Sequence, residues 1–120
     1  MHKLMIVDDS NIIRNRIQRA YDSGNFILVA TATSGVQAIE KFKIHRPHVI
    51  TMDLTMPHMD GLECIEKIIA LDPDVRILVV SALSDKSTGI DALSLGASGF
   101  LCKPFSEEEL VESLFELVQD

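Results

Sequence analysis

Short apolar runs alternate along the chain with longer stretches in which apolar residues recur every three or four positions. Near-continuous Val, Ile and Leu content is typical of parallel strands covered on both faces, whereas the wider spacing is typical of amphipathic helices. Five runs are predicted to be strands: residues 3–7, 26–32, 48–53, 76–81 and 98–103. The pattern therefore predicts five strands, each followed by a helix.

Each predicted helix carries an apolar stripe suited to packing against a sheet. The stripes are Ile13, Ile17 and Ala20; Val36, Ile39 and Phe42; Leu62, Ile65, Ile68 and Ile69; Ile90 and Leu93; and Leu110, Leu114 and Leu117. Ser10 and Ser106 stand where N-caps belong, and Gly96 follows the fourth helix as a C-cap would. That helix, over residues 86–95, is predicted to be marginal because the Ser-Thr-Gly run at 87–89 forms helix poorly.

This alternation has no internal repeat, low-complexity tract or linker, and 120 residues is the usual size of one domain. We therefore expect a single domain over residues 1–120, with a doubly wound, five-stranded parallel sheet between two layers of helices. Such sheets bind ligands beyond the carboxyl ends of their strands, where the strand order reverses. The polar residues at those ends are the candidates for function.

Composition narrows the classes of partner. Apolar residues make up 47% of the chain and charged residues 24%, which is ordinary for a folded globular protein. Eleven basic and eighteen acidic residues give a net charge of −7, which argues against direct binding to nucleic acid or anionic lipid. No apolar run approaches the roughly 20 residues of a membrane span, so we expect no membrane insertion and a cytoplasmic location. Cys64 and Cys102 lack metal-ligand spacing and are expected to be packing thiols.

One set of polar side chains stands at the carboxyl ends of the predicted strands: Asp8 and Asp9 at the first, Asp53 at the third, Ser81 at the fourth and Lys103 at the fifth. If the first and third strands are neighbours, three carboxylates converge and repel one another. A cation would relieve this repulsion. Because all the candidate ligands are oxygens, the expected ion is Mg²⁺.

The same residues suit phosphoryl chemistry. A lysine, a hydroxyl and a metal ion around one carboxylate form a receptor for a phosphoryl group. Asp53 could then act as a nucleophile and become an aspartyl phosphate, while Lys103 and Mg²⁺ neutralise the phosphoryl oxygens. The constellation therefore predicts that Asp53 is a phosphoacceptor.

Four motifs together resemble the receiver domain of bacterial response regulators, and the resemblance covers the whole chain. They are VDDS at 7–10, TMDLTMPHMDG at 51–61, VVSA at 79–82 and GASGFLCKPF at 96–105. The resemblance implies a flavodoxin-like fold with strand order 2-1-3-4-5. It also implies that Asp53 takes its phosphoryl group from a sensor histidine kinase and that Lys103 contacts the phosphoryl oxygens.

The resemblance further implies a ligand set for Mg²⁺, formed by Asp8, Asp9, Asp53 and the backbone carbonyl of Thr55. It implies a cis peptide bond at Lys103–Pro104. The protein would catalyse only its own phosphorylation and dephosphorylation, and would not be an enzyme acting on other substrates.

Ser81 and Phe100 are the residues expected to transmit the signal. Members of the family often have threonine at the position of Ser81 and tyrosine or another aromatic at the position of Phe100. Serine keeps the hydroxyl, whereas phenylalanine keeps the ring without its hydrogen-bond donor. We expect the phosphoryl group to draw in the loop after the fourth strand, so that Phe100 turns inward. A downstream protein would then bind the face formed by the fourth helix, fifth strand and fifth helix.

Two other functions are alternatives to a receiver domain. A Mg²⁺-dependent phosphohydrolase would also form an aspartyl phosphate, but it calls for a second acid two residues after the nucleophile, where this chain has Thr55, and for a cap insertion. A flavodoxin-like electron carrier would need a phosphate-binding loop where Asp8 and Asp9 stand. A chemotaxis-type regulator that acts by binding another protein is the expectation, with a phosphate shuttle or a receiver cut from a longer protein as alternatives.

Overall fold

The computed structural model describes residues 2–20, 26–54, 61–82 and 86–119, and strands alternate with helices throughout this part of the chain. The strands are β1 (His2–Val7), β2 (Phe26–Ala32), β3 (Val49–Asp53), β4 (Arg76–Ala82) and β5 (Gly99–Lys103). The helices are α1 (Asn11–Ala20), α2 (Gly35–His45), α3 (Gly61–Leu71), α4 (Lys86–Ser94) and α5 (Glu107–Val118). The predicted bounds of every strand and of α4 are correct to within one residue.

All five strands form one parallel sheet in the order β2-β1-β3-β4-β5. The predicted doubly wound, flavodoxin-like fold is therefore confirmed. The first strand pairs with β2 on one side and with β3 on the other, so the chain changes direction across the sheet beside β1. The carboxyl ends of β1 and β3 consequently lie next to each other at the reversal point.

The sheet separates two apolar cores. On one face, side chains such as Met52 and Val79 pack with Phe42 of α2 and Ile65 of α3. On the other face, the core includes Leu110 and its neighbours from α1, α5 and the strands. Burying one such side chain stabilises the fold by roughly 1.5–3 kcal/mol, so both layers of helices are held firmly against the sheet.

The helix ends follow the predicted chemistry. The Ser10 hydroxyl accepts a hydrogen bond from the Ile13 N–H at 3.3 Å, in the first turn of α1. At the start of α5, Ser106 and Glu109 form a reciprocal capping box. Gly96 has a φ of 116°, a left-handed conformation that suits glycine, just after α4 ends.

The predicted apolar stripe of α4 is wrong. Ile90 is 57% exposed and Leu93 is 43% exposed, whereas Gly89 and Ala92 are the buried ones among the residues of this helix whose burial is described. Small side chains let α4 approach the sheet closely, and this approach turns the larger side chains outward. Val36 in α2 likewise lies 43% exposed, outside the buried face of its helix.

The described helices are short, and the longest of them, α5, has 12 residues. Within the described part of the chain, no helix combines the length and apolar character needed to cross a membrane. Both cysteines are free thiols. Cys64 on α3 is buried in the hydrophobic core, and Cys102 on β5 is half-buried.

Candidate functional site

Three carboxylates converge where β1 and β3 end, as predicted. Asp8 directly follows β1, and Asp53 is the last residue of β3. Asp8, Asp9 and Asp53 each offer one carboxylate oxygen, and these atoms all lie within 4.8 Å of one another. Asp8 and Asp53 are only 1% and 3% exposed, whereas Asp9 is exposed to solvent. The site is therefore a buried acidic pair with one solvent-facing acid at its rim.

Lys103, the last residue of β5, is the cation of this cluster. Its Nζ lies 3.2 Å from Oδ2 of Asp8 and 3.7 Å from Oδ1 of Asp53. The strand pairing places Lys103 and Asp53 on the same face of the sheet, with β4 between them. A long lysine side chain can span that strand, and its side chain stays 24% exposed. Lys103 thus contacts both buried acids directly.

The backbone around Asp8 is held at several atoms. The Asp8 N–H donates to the carbonyl of Ala32 at 3.0 Å, which extends the pairing of β1 with β2. The Ser10 N–H donates to Oδ1 of Asp8 at 2.9 Å. The guanidinium of Arg14 on α1 donates to the Asp8 carbonyl at 2.6 Å. Arg14 was not identified from the sequence, because a side chain that binds a backbone carbonyl leaves no motif.

The start of α3 packs against the backbone at Asp53 and helps to fix its position. The Gly61 N–H donates to the carbonyl of Leu54 at 2.9 Å. A β-carbon at Gly61 would lie 2.5 Å from Cα of Leu54 and 2.6 Å from the carbonyl oxygen of Asp53. Only glycine lets the first turn of α3 pack this closely on the backbone of Asp53.

Ser81 and Phe100 lie on the other face of the sheet from Asp53 and Lys103. Ser81 pairs with Cys102 and Phe100 pairs with Val79, so Ser81 and Phe100 share one face. Ser81 is 1% exposed, and Phe100 is half-buried beside the core under α2, α3 and α4. The two residues proposed to transmit the signal thus lie on the same face of neighbouring strands, and Ser81 is on the strand next to the one that carries Asp53.

Two further predicted features concern the backbone. The peptide bond at Lys103–Pro104 is cis, as the resemblance implied. The predicted metal ligand Thr55 lies in residues 55–60, outside the described residues.

The charges of the site favour a divalent cation. When ionised, three carboxylates and one ammonium group leave two negative charges uncompensated. If both buried acids are ionised, two unit charges 4.8 Å apart repel each other by roughly 3.5 kcal/mol at an effective dielectric constant of about 20. A donor set made only of carboxylate oxygens suits a hard cation, so this acidic triad can hold a metal ion.

Comparison with known proteins agrees with this geometry. The model of the response regulator receiver domain matches residues 4–115. The chemotaxis protein CheY of Bacillus subtilis is 40% identical over 113 residues, which cover 94% of each chain. CheY of Thermotoga maritima is 36% identical and covers 93% of each chain.

Solved structures give the same result. The crystal structure of the CheX–CheY–BeF₃–Mg²⁺ complex from Borrelia burgdorferi contains a chain that superposes on this one with a TM-score of 0.93 at 30% identity. The superposition covers 99% of this chain and 90% of the other. With this fold, the acidic triad and a receiver match over nearly the whole length, the chain belongs to the family of CheY-like response regulator receiver domains, which are signalling proteins.

Proposed function

We propose that this receiver accepts a phosphoryl group on Asp53 from a sensor histidine kinase and thereby changes its affinity for a partner protein. One observation carries the proposal. Asp53 is 3% exposed at the end of β3, with Lys103 at 3.7 Å and two further carboxylates beside it. Burying a carboxylate costs free energy unless its charge is compensated. Placing three carboxylates together therefore does not serve stability, which supports a functional role for Asp53.

In the proposed reaction, a carboxylate oxygen of Asp53 attacks the phosphorus of a phosphohistidine. A P–O bond forms while the P–N bond breaks, and the imidazole departs with the electron pair and takes up a proton. Lys103 moves its interaction from the Asp53 carboxylate to the incoming phosphoryl oxygens, where negative charge concentrates. Ser81 would donate its hydroxyl to one of those oxygens.

Mg²⁺ is the proposed metal, held by Asp8, Asp9, Asp53 and the backbone carbonyl of Thr55. When bound, it would neutralise charge on the phosphoryl oxygens during transfer. The oxygen-only donor set supports this choice, and the Borrelia relative was solved with Mg²⁺ and BeF₃.

The proposed pathway is chemotaxis-type signalling. The supporting fact is that the Bacillus and Thermotoga chemotaxis relatives match this chain over nearly their full lengths. The proposed partner surface is the face formed by α4, β5 and α5, where Ile90 and Leu93 are exposed and Phe100 is half-buried. The Borrelia relative was solved together with CheX, which makes a CheX-type protein a reasonable first partner to test.

Intact-mass spectrometry after incubation with acetyl phosphate and Mg²⁺ tests the proposal. We expect one phosphoryl group on the wild-type protein and none on Asp53→Asn. Asp74→Asn is the matched control, because Asp74 is an exposed acid that follows α3, and it should be phosphorylated like wild type. Equal incorporation in the Asp53 variant and the control would rule out Asp53 as the acceptor.

A further inference from the structure

The Asp8 carbonyl is the feature from which the inference starts. Asp8 carries three polar groups besides its N–H, and described contacts engage each of them. The Ser10 N–H donates to Oδ1 at 2.9 Å, Lys103 donates to Oδ2 at 3.2 Å, and Arg14 donates to the carbonyl oxygen at 2.6 Å. The first two contacts orient the carboxylate of Asp8 itself. The contact from Arg14 acts on the backbone instead.

The Asp8 carbonyl belongs to the peptide unit that joins Asp8 to Asp9. A peptide unit is planar, so a fixed direction of the carbonyl also fixes the direction in which the chain reaches the Cα of Asp9. Asp9 is exposed, unlike its two buried companions in the acidic cluster. Its carboxylate therefore depends on the backbone for its direction more than Asp8 and Asp53 do.

The guanidinium of Arg14 is itself held in place. The guanidinium also donates to Oδ1 of Asn11, the first residue of α1. The backbone N–H of Arg14 donates to the carbonyl of Ser10 at 3.0 Å, which fixes the helical turn that carries this side chain. Arg14 is half-buried, and the planar guanidinium forms hydrogen bonds in fixed directions. The start of α1 and the Asp8–Asp9 peptide unit are thus joined through one side chain.

We propose that Arg14 is a positioning residue for cation binding, which holds the Asp8–Asp9 peptide so that the Asp9 carboxylate faces the metal position. This inference rests on the proposed function, because it assumes that the acidic triad binds Mg²⁺. Arg14 itself bears a positive charge and is not a ligand. Removing groups that orient metal ligands typically lowers metal affinity by about 10-fold or more.

A positioning role for Arg14 and simple electrostatics predict opposite changes in Mg²⁺ affinity when Arg14 is replaced. Removing a positive charge near three carboxylates raises their affinity for a cation if charge alone matters. Removing a positioning contact lowers that affinity. Arg14→Gln removes both the positive charge and the guanidinium contact, whereas Arg14→Lys keeps the charge and replaces the planar group. Arg19→Gln is the matched control, because Arg19 is exposed in the last turn of the same helix.

Titration with Mg²⁺, monitored through the amide chemical shifts, measures the Mg²⁺ affinity of each variant without phosphorylation. We expect Arg14→Gln to bind Mg²⁺ about 10-fold more weakly than Arg19→Gln, and Arg14→Lys to bind it more weakly than wild type. At saturating Mg²⁺, phosphorylation of Arg14→Gln by acetyl phosphate should reach the wild-type rate, which a general loss of structure would not allow. The melting temperatures without Mg²⁺ check that all variants are folded.

Two results would overturn the inference while leaving the proposed function intact. The first is an Mg²⁺ affinity of Arg14→Gln equal to or higher than that of Arg19→Gln. The second is a charge-preserving Arg14→Lys variant that binds Mg²⁺ like wild type. If the wild-type protein itself shows no Mg²⁺ binding, both the inference and the metal site of the proposed function are wrong.

Discussion

The ring of Phe100 lies directly against the backbone of Gly89. A β-carbon at position 89 would come within 2.1 Å of Cε2 and 2.5 Å of Cδ2 of that ring. Glycine inside a helix costs about 1 kcal/mol relative to alanine, and the contact with the ring accounts for its presence here. The position of α4 on the sheet and the position of the Phe100 ring are therefore linked.

The first prediction concerns this contact. Gly89→Ala should force the ring of Phe100 out of its place, so the expected gain in helix propensity is lost and the protein becomes less stable. In a Phe100→Ala background the same change should raise the free energy of unfolding by up to about 1 kcal/mol, because only the helix propensity remains. Chemical denaturation of the four proteins of this double-mutant cycle measures the difference.

Ser87→Ala is the control for helix propensity, since Ser87 is exposed in the same helix. It should change stability by the same small amount whether or not Phe100 is present. A Gly89→Ala effect that is likewise independent of Phe100 would show that the ring and α4 are not coupled.

The second prediction concerns Thr51, which lies two residues before Asp53 on the same face of β3. Its Oγ1 is buried and has no hydrogen-bond partner among the described residues. An unsatisfied buried hydroxyl costs about 1–3 kcal/mol, and valine has nearly the same shape without the hydroxyl. Thr51→Val should therefore raise the free energy of unfolding by about 1 kcal/mol. A loss of stability in thermal or chemical denaturation would mean that the hydroxyl makes a stabilising contact.

The third prediction separates the role of Lys103 from metal binding. Lys103→Met should leave Mg²⁺ binding in place, because the carboxylates remain, but should slow phosphorylation of Asp53 by acetyl phosphate about 100-fold or more. Lys67→Met is the control, because Lys67 is an exposed lysine whose only described ion pair is a surface contact with Glu63 at 3.8 Å. Loss of Mg²⁺ binding together with phosphorylation in Lys103→Met would contradict this division of roles.

The fourth prediction concerns the rim acid, Asp9. Mg²⁺ at about 100 times its dissociation constant should stabilise the wild-type protein by about 2.7 kcal/mol. In Asp9→Ala the same Mg²⁺ concentration should give a much smaller rise in melting temperature, whereas the exposed Asp74→Ala should respond like wild type. If Mg²⁺ leaves the melting temperature of wild type unchanged, the acidic triad does not bind Mg²⁺.

Much of the fold was predictable, because continuous apolar runs and helical spacing are local signals. The strands were predicted to within one residue, and the convergence of Asp8, Asp9 and Asp53 followed from the strand order. The burial pattern of α4 was not predictable in the same way. Its described buried residues are Gly89 and Ala92, which leave no apolar stripe in the sequence, and Phe100 occupies the space beside Gly89.

The contacts that orient the site were also beyond sequence reasoning. Arg14 acts on a backbone carbonyl, and Lys103 bridges Asp8 as well as Asp53 through a side chain that crosses β4. Such contacts depend on distances between elements that are far apart in the chain. Residue types at the strand ends indicated the chemistry, but only the assembled sheet shows which side chains contact which.

Chemical identification of the phosphorylated residue tests the assignment of Asp53 most directly. After incubation with acetyl phosphate and Mg²⁺, borohydride reduces an aspartyl phosphate to homoserine, which peptide mass spectrometry can locate. We predict homoserine at position 53 in wild type, and at no position in Asp53→Asn treated in parallel. Homoserine at position 8 or 9, or a phosphoryl group found on a residue other than an aspartate, would contradict the assignment of Asp53 as the phosphoacceptor.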